Sequence, residues 1–82
     1  MALTLKLITP EKKVFEGDVE SIKCPGVDGL FGVLSGHAPM VSALGEGKLV
    51  YTSEGKETEV KISGGFLEIS NNVCSVMADS AE

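Results

Sequence analysis

Residues 57–62 alternate without a break. Thr58, Val60 and Ile62 fall on one side, and Glu57, Glu59 and Lys61 on the other. That is the two-residue period of a half-buried strand. It recurs at the amino terminus, where Leu3, Leu5 and Leu7 alternate with Thr4 and Lys6, and again around Leu49 and Tyr51. No window keeps helical spacing for three turns. Turn residues punctuate the rest: Pro10 with Glu11-Lys12-Lys13, Gly17, Pro25-Gly26, Gly45-Glu46-Gly47, Ser53-Glu54-Gly55-Lys56, Ser63-Gly64-Gly65 and Asn71-Asn72. Short strands with turn signals about every eight to twelve residues predict an all-β sandwich or barrel. The third strand is expected over residues 18–24, with Pro25-Gly26 breaking it, and the short apolar pair Val14-Phe15 is expected to close at Gly17.

The chain has 82 residues, enough for one domain over residues 1–82. A domain of this size buries roughly 60% of the surface its unfolded chain exposes, so the core is small. Yet 43% of the residues are apolar and the mean hydropathy is +0.19. Some apolar surface must therefore stay outside, which points to partners. The net charge is −5, and the cationic residues are seven lysines with no arginine. That excludes a basic nucleic-acid footprint and bidentate guanidinium chemistry on phosphates. Cys24 and Cys74 read as small buried hydrophobes with free thiols. One histidine and two distant cysteines are too sparse for a metal site. No charged head followed by a long apolar run is present, so neither a signal peptide nor a membrane helix is expected.

The densest run of turn-permitting residues is 29–40, Gly-Leu-Phe-Gly-Val-Leu-Ser-Gly-His-Ala-Pro-Met. It reads as an ordered surface loop built into a sheet, the place where function most often sits. His37 could pair with Ser35 and Asp28 in a nucleophilic triad, but nothing supplies an oxyanion hole. The simpler reading is a histidine that orders its own loop through a backbone bond. Gly29 and Gly32 lack the lysine and following helix of a phosphate loop. Of Leu30, Phe31 and Met40, at least one is expected to point outward as an interface anchor.

Four blocks occur in order: Gly17-Asp18-Val19-Glu20-Ser21-Ile22, Gly29-x-x-Gly32-Val33-Leu34-x-Gly36-His37-Ala38-Pro39, Ser63-Gly64-Gly65-Phe66-Leu67-Glu68 and Val76-Met77-Ala78-Asp79. Together they resemble the epsilon subunit of the F-type ATP synthase, called delta in mitochondria. The resemblance covers the whole chain. It implies a flattened β-sandwich of about ten short, mostly antiparallel strands. It also implies a non-catalytic rotor subunit with no cofactor and no metal. By motif position, Thr9, His37 and Ser42 fall near the gamma subunit. Asp28, Gly29, Leu30 and Phe31 fall where the family meets the ring of c subunits. Many relatives carry an acidic residue where this chain has Leu30. The implied place is the cytoplasmic face of the bacterial inner membrane, or its organelle equivalent, with membrane contact only through the complex. The isolated chain is expected to be a monomer.

Family members usually continue past Ala78-Asp79 into a helical hairpin, and this sequence ends at Glu82. The activities of that hairpin, including restraint of ATP hydrolysis, are expected to lie outside residues 1–82. A different class fits the size and charge as well: a biotinyl or lipoyl carrier domain. A carrier needs a lysine at a hairpin tip, and Lys48 and Lys56 are the nearest candidates, neither in the usual setting.

Overall fold

A computed structural model describes residues 2–82. Nine strands form among the described residues: β1 (Leu3–Ile8), β2 (Lys13–Val19), β3 (Ser21–Gly26), β4 (Gly29–Leu34), β5 (Met40–Leu44), β6 (Gly47–Ser53), β7 (Lys56–Ile62), β8 (Gly65–Ser70) and β9 (Val73–Ala78). They make one curled sheet in the order β2-β1-β9-β8-β5-β3-β6-β7, with β4 added to β3. Every ladder is antiparallel except β1 with β9. The all-β, mostly antiparallel expectation holds, with nine strands in place of about ten.

The alternation sets the core. Leu3, Leu5 and Leu7 face inward beside Cys74 and Val76 of β9 and Leu67 and Ile69 of β8. Ile22, Cys24, Leu49, Tyr51, Val60 and Ile62 close over them from the other half of the sheet. The halves also meet through Phe15 of β2 and Tyr51 of β6, whose rings lie 4.4 Å apart. The last residues clip a second seam. Lys61 and Glu82 exchange backbone hydrogen bonds of 3.0 and 2.9 Å, and Ala81 bridges Ile62.

Three boundaries differ from expectation. Strand β2 runs through Gly17 to Val19, and the third strand begins only at Ser21. Pro25-Gly26 does not break β3 but belongs to it, paired with Leu30 and Gly29. The Pro25 carbonyl accepts from Gly45 N at 2.7 Å, so the missing N–H of the proline faces that same edge. There β3 leaves β6 for β5, and no ladder needs the donor. Finally, half of the 29–40 run is strand β4, and only residues 35–39 form a loop.

Burial pushes both thiols up to about 12 from an ordinary 9.0, since an apolar core penalises the thiolate. The folded pKa lies above the unfolded one. This contribution to stability is therefore complete below about pH 9 and is lost as pH rises toward about 12. Cys24 and Cys74 should resist a thiol reagent at pH 8 in the folded chain, and both should react once urea unfolds it. Prompt reaction of either thiol without denaturant would contradict this burial.

Candidate functional site

The turns sort the molecule into two ends. Leu44 pairs with both Gly26 and Gly65, and Gly65 with Ala78. The β3–β4 hairpin tip at Val27-Asp28, the Gly64 corner and the end of β9 therefore share one end. Residues 35–39 and the Asn71-Asn72 turn lie at the other.

Strands β1, β9, β8 and β5 present an outer face that nothing in the described chain covers. Its register aligns Ile8 with Met77, Met77 with Phe66, and Phe66 with Ala43. Phe66 is 59% exposed and Met77 57%. Val27 donates its N–H to the Ala43 carbonyl and carries the apolar row on to the hairpin tip. The next row is Val41, Glu68, Ser75 and Lys6, so the patch acquires a polar border. Contiguous exposed apolar side chains of this kind mark an interaction surface.

Sequence reasoning missed this face, although a signal existed. Leu67 and Ile69 are inward by parity, so Phe66 must be outward, and Val76 and Ala78 place Met77 likewise. What the sequence lacked was the register that sets these residues side by side.

The expected site residues are spread around that face. Thr9 is buried, and its hydroxyl and N–H both engage Lys12 within the β1–β2 turn, at 3.2 and 2.9 Å. It shapes the border more than it offers a contact. Ser42 aligns with Leu67 on the inner side of β5, half-buried at the sheet margin. His37 is half-buried in its loop. Its Nδ1 lies 2.8 Å from the Ala38 carbonyl, and its N–H donates to Leu34 O at 3.2 Å. Gly36 N donates to Asn72 Oδ1 at 2.7 Å, tying the loop to the β8–β9 turn. Asn71 and Asn72 are both left-handed (φ 51° and 61°), a conformation asparagine tolerates in a tight hairpin. Thr9 and His37 thus lie at opposite ends of the face, and Ser42 lies along its margin.

A triad of Asp28, Ser35 and His37 is geometrically excluded. Strand β4 separates Asp28 from Ser35 by roughly 20 Å of extended chain. The carrier reading finds no support in the hairpin either. Glu54 and Gly55 occupy the β6–β7 tip, and Lys48 lies within β6, 3.8 Å from Glu59.

Asp28, Gly29 and Leu30 are exposed at the β3–β4 tip, with Leu30 81% exposed. Phe31 turns inward with Met40, and both pack against the core. Leu30 is the one of the three apolar residues that points outward.

Residues 2–82 match the family model described as the β-sandwich domain of the ATP synthase delta/epsilon chain. The chain belongs to this family. It is 45% identical over 82 residues to the ATP synthase epsilon chain of Anaeromyxobacter sp. (strain K), covering 100% of this chain and 62% of that one. It is 46% identical over 81 residues to the epsilon chain of Nitratidesulfovibrio vulgaris (strain DP4), covering 99% and 60%. The chain thus spans about three-fifths of the length of these relatives. Among solved structures, a chain of the Euglena gracilis mitochondrial ATP synthase, OSCP/F1/c-ring, superposes with a TM-score of 0.93 at 28% identity, over 99% of this chain and 52% of that one. A chain of the Tetrahymena thermophila central stalk and c-ring superposes at 0.86 with 15% identity, over 100% and 66%, and attests the fold.

Proposed function

We propose that this domain is a non-catalytic rotor element of a proton-translocating F-type ATP synthase. In this reading it binds the gamma subunit along the β1-β9-β8-β5 face and meets the c-subunit ring with the β3–β4 tip. The observation that carries the reading is the apolar row from Val27 to Ile8 on a sandwich of this family. Buried core residues explain themselves, but an exposed row across four strands calls for a partner.

The areas are consistent. A standard interface buries about 800 Å² per partner, and two would cover roughly a third of this domain's 4899 Å². Two attachments make the domain a brace between gamma and ring, so that ring rotation is passed on without slippage. The domain would sit peripherally on the membrane face where the catalytic head lies, held there by the complex. That face is the cytoplasmic one in bacteria.

In this reading His37 and Ser42 border the gamma contact at the margin of the sheet, and Thr9 lies at its other end. His37→Ala should weaken gamma binding about tenfold, by removing the ring that orders residues 35–39, with little change in stability. Ser42→Trp should weaken it further by crowding the β5 margin. Isothermal titration of purified gamma into each variant reads both. An unchanged dissociation constant for both, with wild-type circular dichroism, would remove these residues from the interface. Cysteines placed at positions 28 and 30 should crosslink to c-subunit loops in the assembled enzyme. Crosslinking only from residues 53–56 would mean the domain docks the other way round.

A further inference from the structure

Sheet edges invite other strands unless something guards them. The two ends of the strand order are guarded. Strand β7 carries Lys56, Glu57, Glu59 and Lys61, and its far end is capped by Ala81 and Glu82. Strand β2 carries Lys13, Glu16 and Asp18, and Ser53 Oγ donates to its Asp18 carbonyl at 2.9 Å.

Strand β4 has no such protection. Among the described residues it pairs with β3 alone, and Gly-Leu-Phe-Gly-Val-Leu contains no charge and no proline. Leu30, Gly32 and Leu34 face outward, the two leucines 81% and 62% exposed, while Phe31 and Val33 face the core.

The run is also symmetric in character about Gly32. Lay a second copy antiparallel with its Gly32 opposite this one. Leu30 then meets the second copy's Leu34, and Phe31 meets its Val33. Outward leucines pair with outward leucines on one face, and inward residues continue the core on the other. Gly32 faces itself with no side chain to hold the backbones apart. An edge bearing charges would set like against unlike only by chance, whereas this one meets its own copy without repulsion.

We propose that β4 is a self-association edge, through which two copies of this chain join β4 to β4 about a two-fold axis at Gly32. The contact adds one strand pair, well under the roughly 800 Å² per partner of a standard interface. It is therefore weak, with a dissociation constant of about 0.1–1 mM, and belongs to free chain at high concentration. The proposal rests on the edge alone and stands whether or not the β3–β4 tip meets a ring. If it does, pairing and ring contact compete, because both use Gly29, Leu30 and Phe31.

Sedimentation equilibrium from about 10 µM to about 2 mM tests it. The wild-type chain should pass from monomer toward dimer across that range. Gly32→Lys should hold the chain monomeric throughout, because two ammonium groups would meet on the axis. The nearest heavy atom to a Cβ at that position is the Ile22 carbonyl 3.8 Å away, so the fold accepts the substitution. Leu30→Glu alone should weaken association at least tenfold. Adding Leu34→Lys should restore it, since each new carboxylate then faces the other copy's new ammonium.

A chain monomeric at every concentration overturns the proposal. So does a dimer that survives Gly32→Lys, or one lost on Met77→Lys instead, which would locate association on the outer sheet face. A double variant no better associated than Leu30→Glu overturns the register.

Discussion

Gly65→Ala should cost the domain about 2–6 kcal/mol of stability. Gly65 opens β8 at φ +144°, in a region that is essentially glycine's own. A Cβ there would run into the Met77 carbonyl and lie 2.8 Å from Ala78 Cα. Both obstacles are backbone of the paired strand β9, which cannot rotate aside as a side chain could. Gly65 also faces Leu44 of β5, so the clash sits where three strands are held together. Backbone strain costs about 1–3 kcal/mol and overpacking about as much again. A domain of this length has about 4–12 kcal/mol in total, and the lower part of that range is erased. Urea unfolding followed by circular dichroism measures the loss. Gly29→Ala is the control: its φ is +129° but nothing lies within 4 Å of the added atom, so it should lose only the strain term. Equal midpoints for Gly65→Ala and Gly29→Ala would show that the β9 backbone yields, contrary to this argument.

How much of this could be read from the chain follows from what alternation encodes. Parity identifies Leu3, Leu5, Leu7, Val60 and Ile62 as inward, and turn residues fix most strand ends, so the sandwich was legible. The Ser-Gly-Gly corner at 63–65 was legible too, though not which of its glycines is irreplaceable, because the colliding carbonyl belongs to Met77. Pro25-Gly26 misled, because a proline reads as a break unless the edge it faces is known to be unpaired there. Residues 29–34 misled for the related reason that two glycines among apolar residues read as loop until β3 is set beside them. Of the candidate site, the tip at Asp28–Leu30 and the self-ordering His37 were recognisable locally. The apolar face was not, since Ile8, Ala43, Phe66 and Met77 come from four separated segments and only register unites them. Thr9 shows the converse. Its motif position suggested a contact, while its environment turns its polar groups inward.

Phe66→Glu should abolish measurable gamma binding while leaving the domain folded. The side chain is 59% exposed in the free domain, and its neighbours on the same row are Met77 and Ala43. Removing an exposed ring takes little from the core, so stability should move by no more than about 0.5 kcal/mol. In a complex the position is different. A central aromatic in a desolvated apolar patch is the usual hot spot, and its loss alone costs about 2 kcal/mol or more, some thirtyfold in affinity. The introduced carboxylate adds the cost of burying a charge with only Met77 and Ala43 beside it on the row. Glu68 lies one row away on the same strand and increases that cost by repulsion. Together the effects should exceed a thousandfold, beyond the range of an ordinary titration. Phe66→Leu keeps most of the apolar area and should weaken binding only about tenfold. Titration of gamma into both variants separates the outcomes. Wild-type affinity for Phe66→Glu would mean that gamma does not occupy the β1-β9-β8-β5 face.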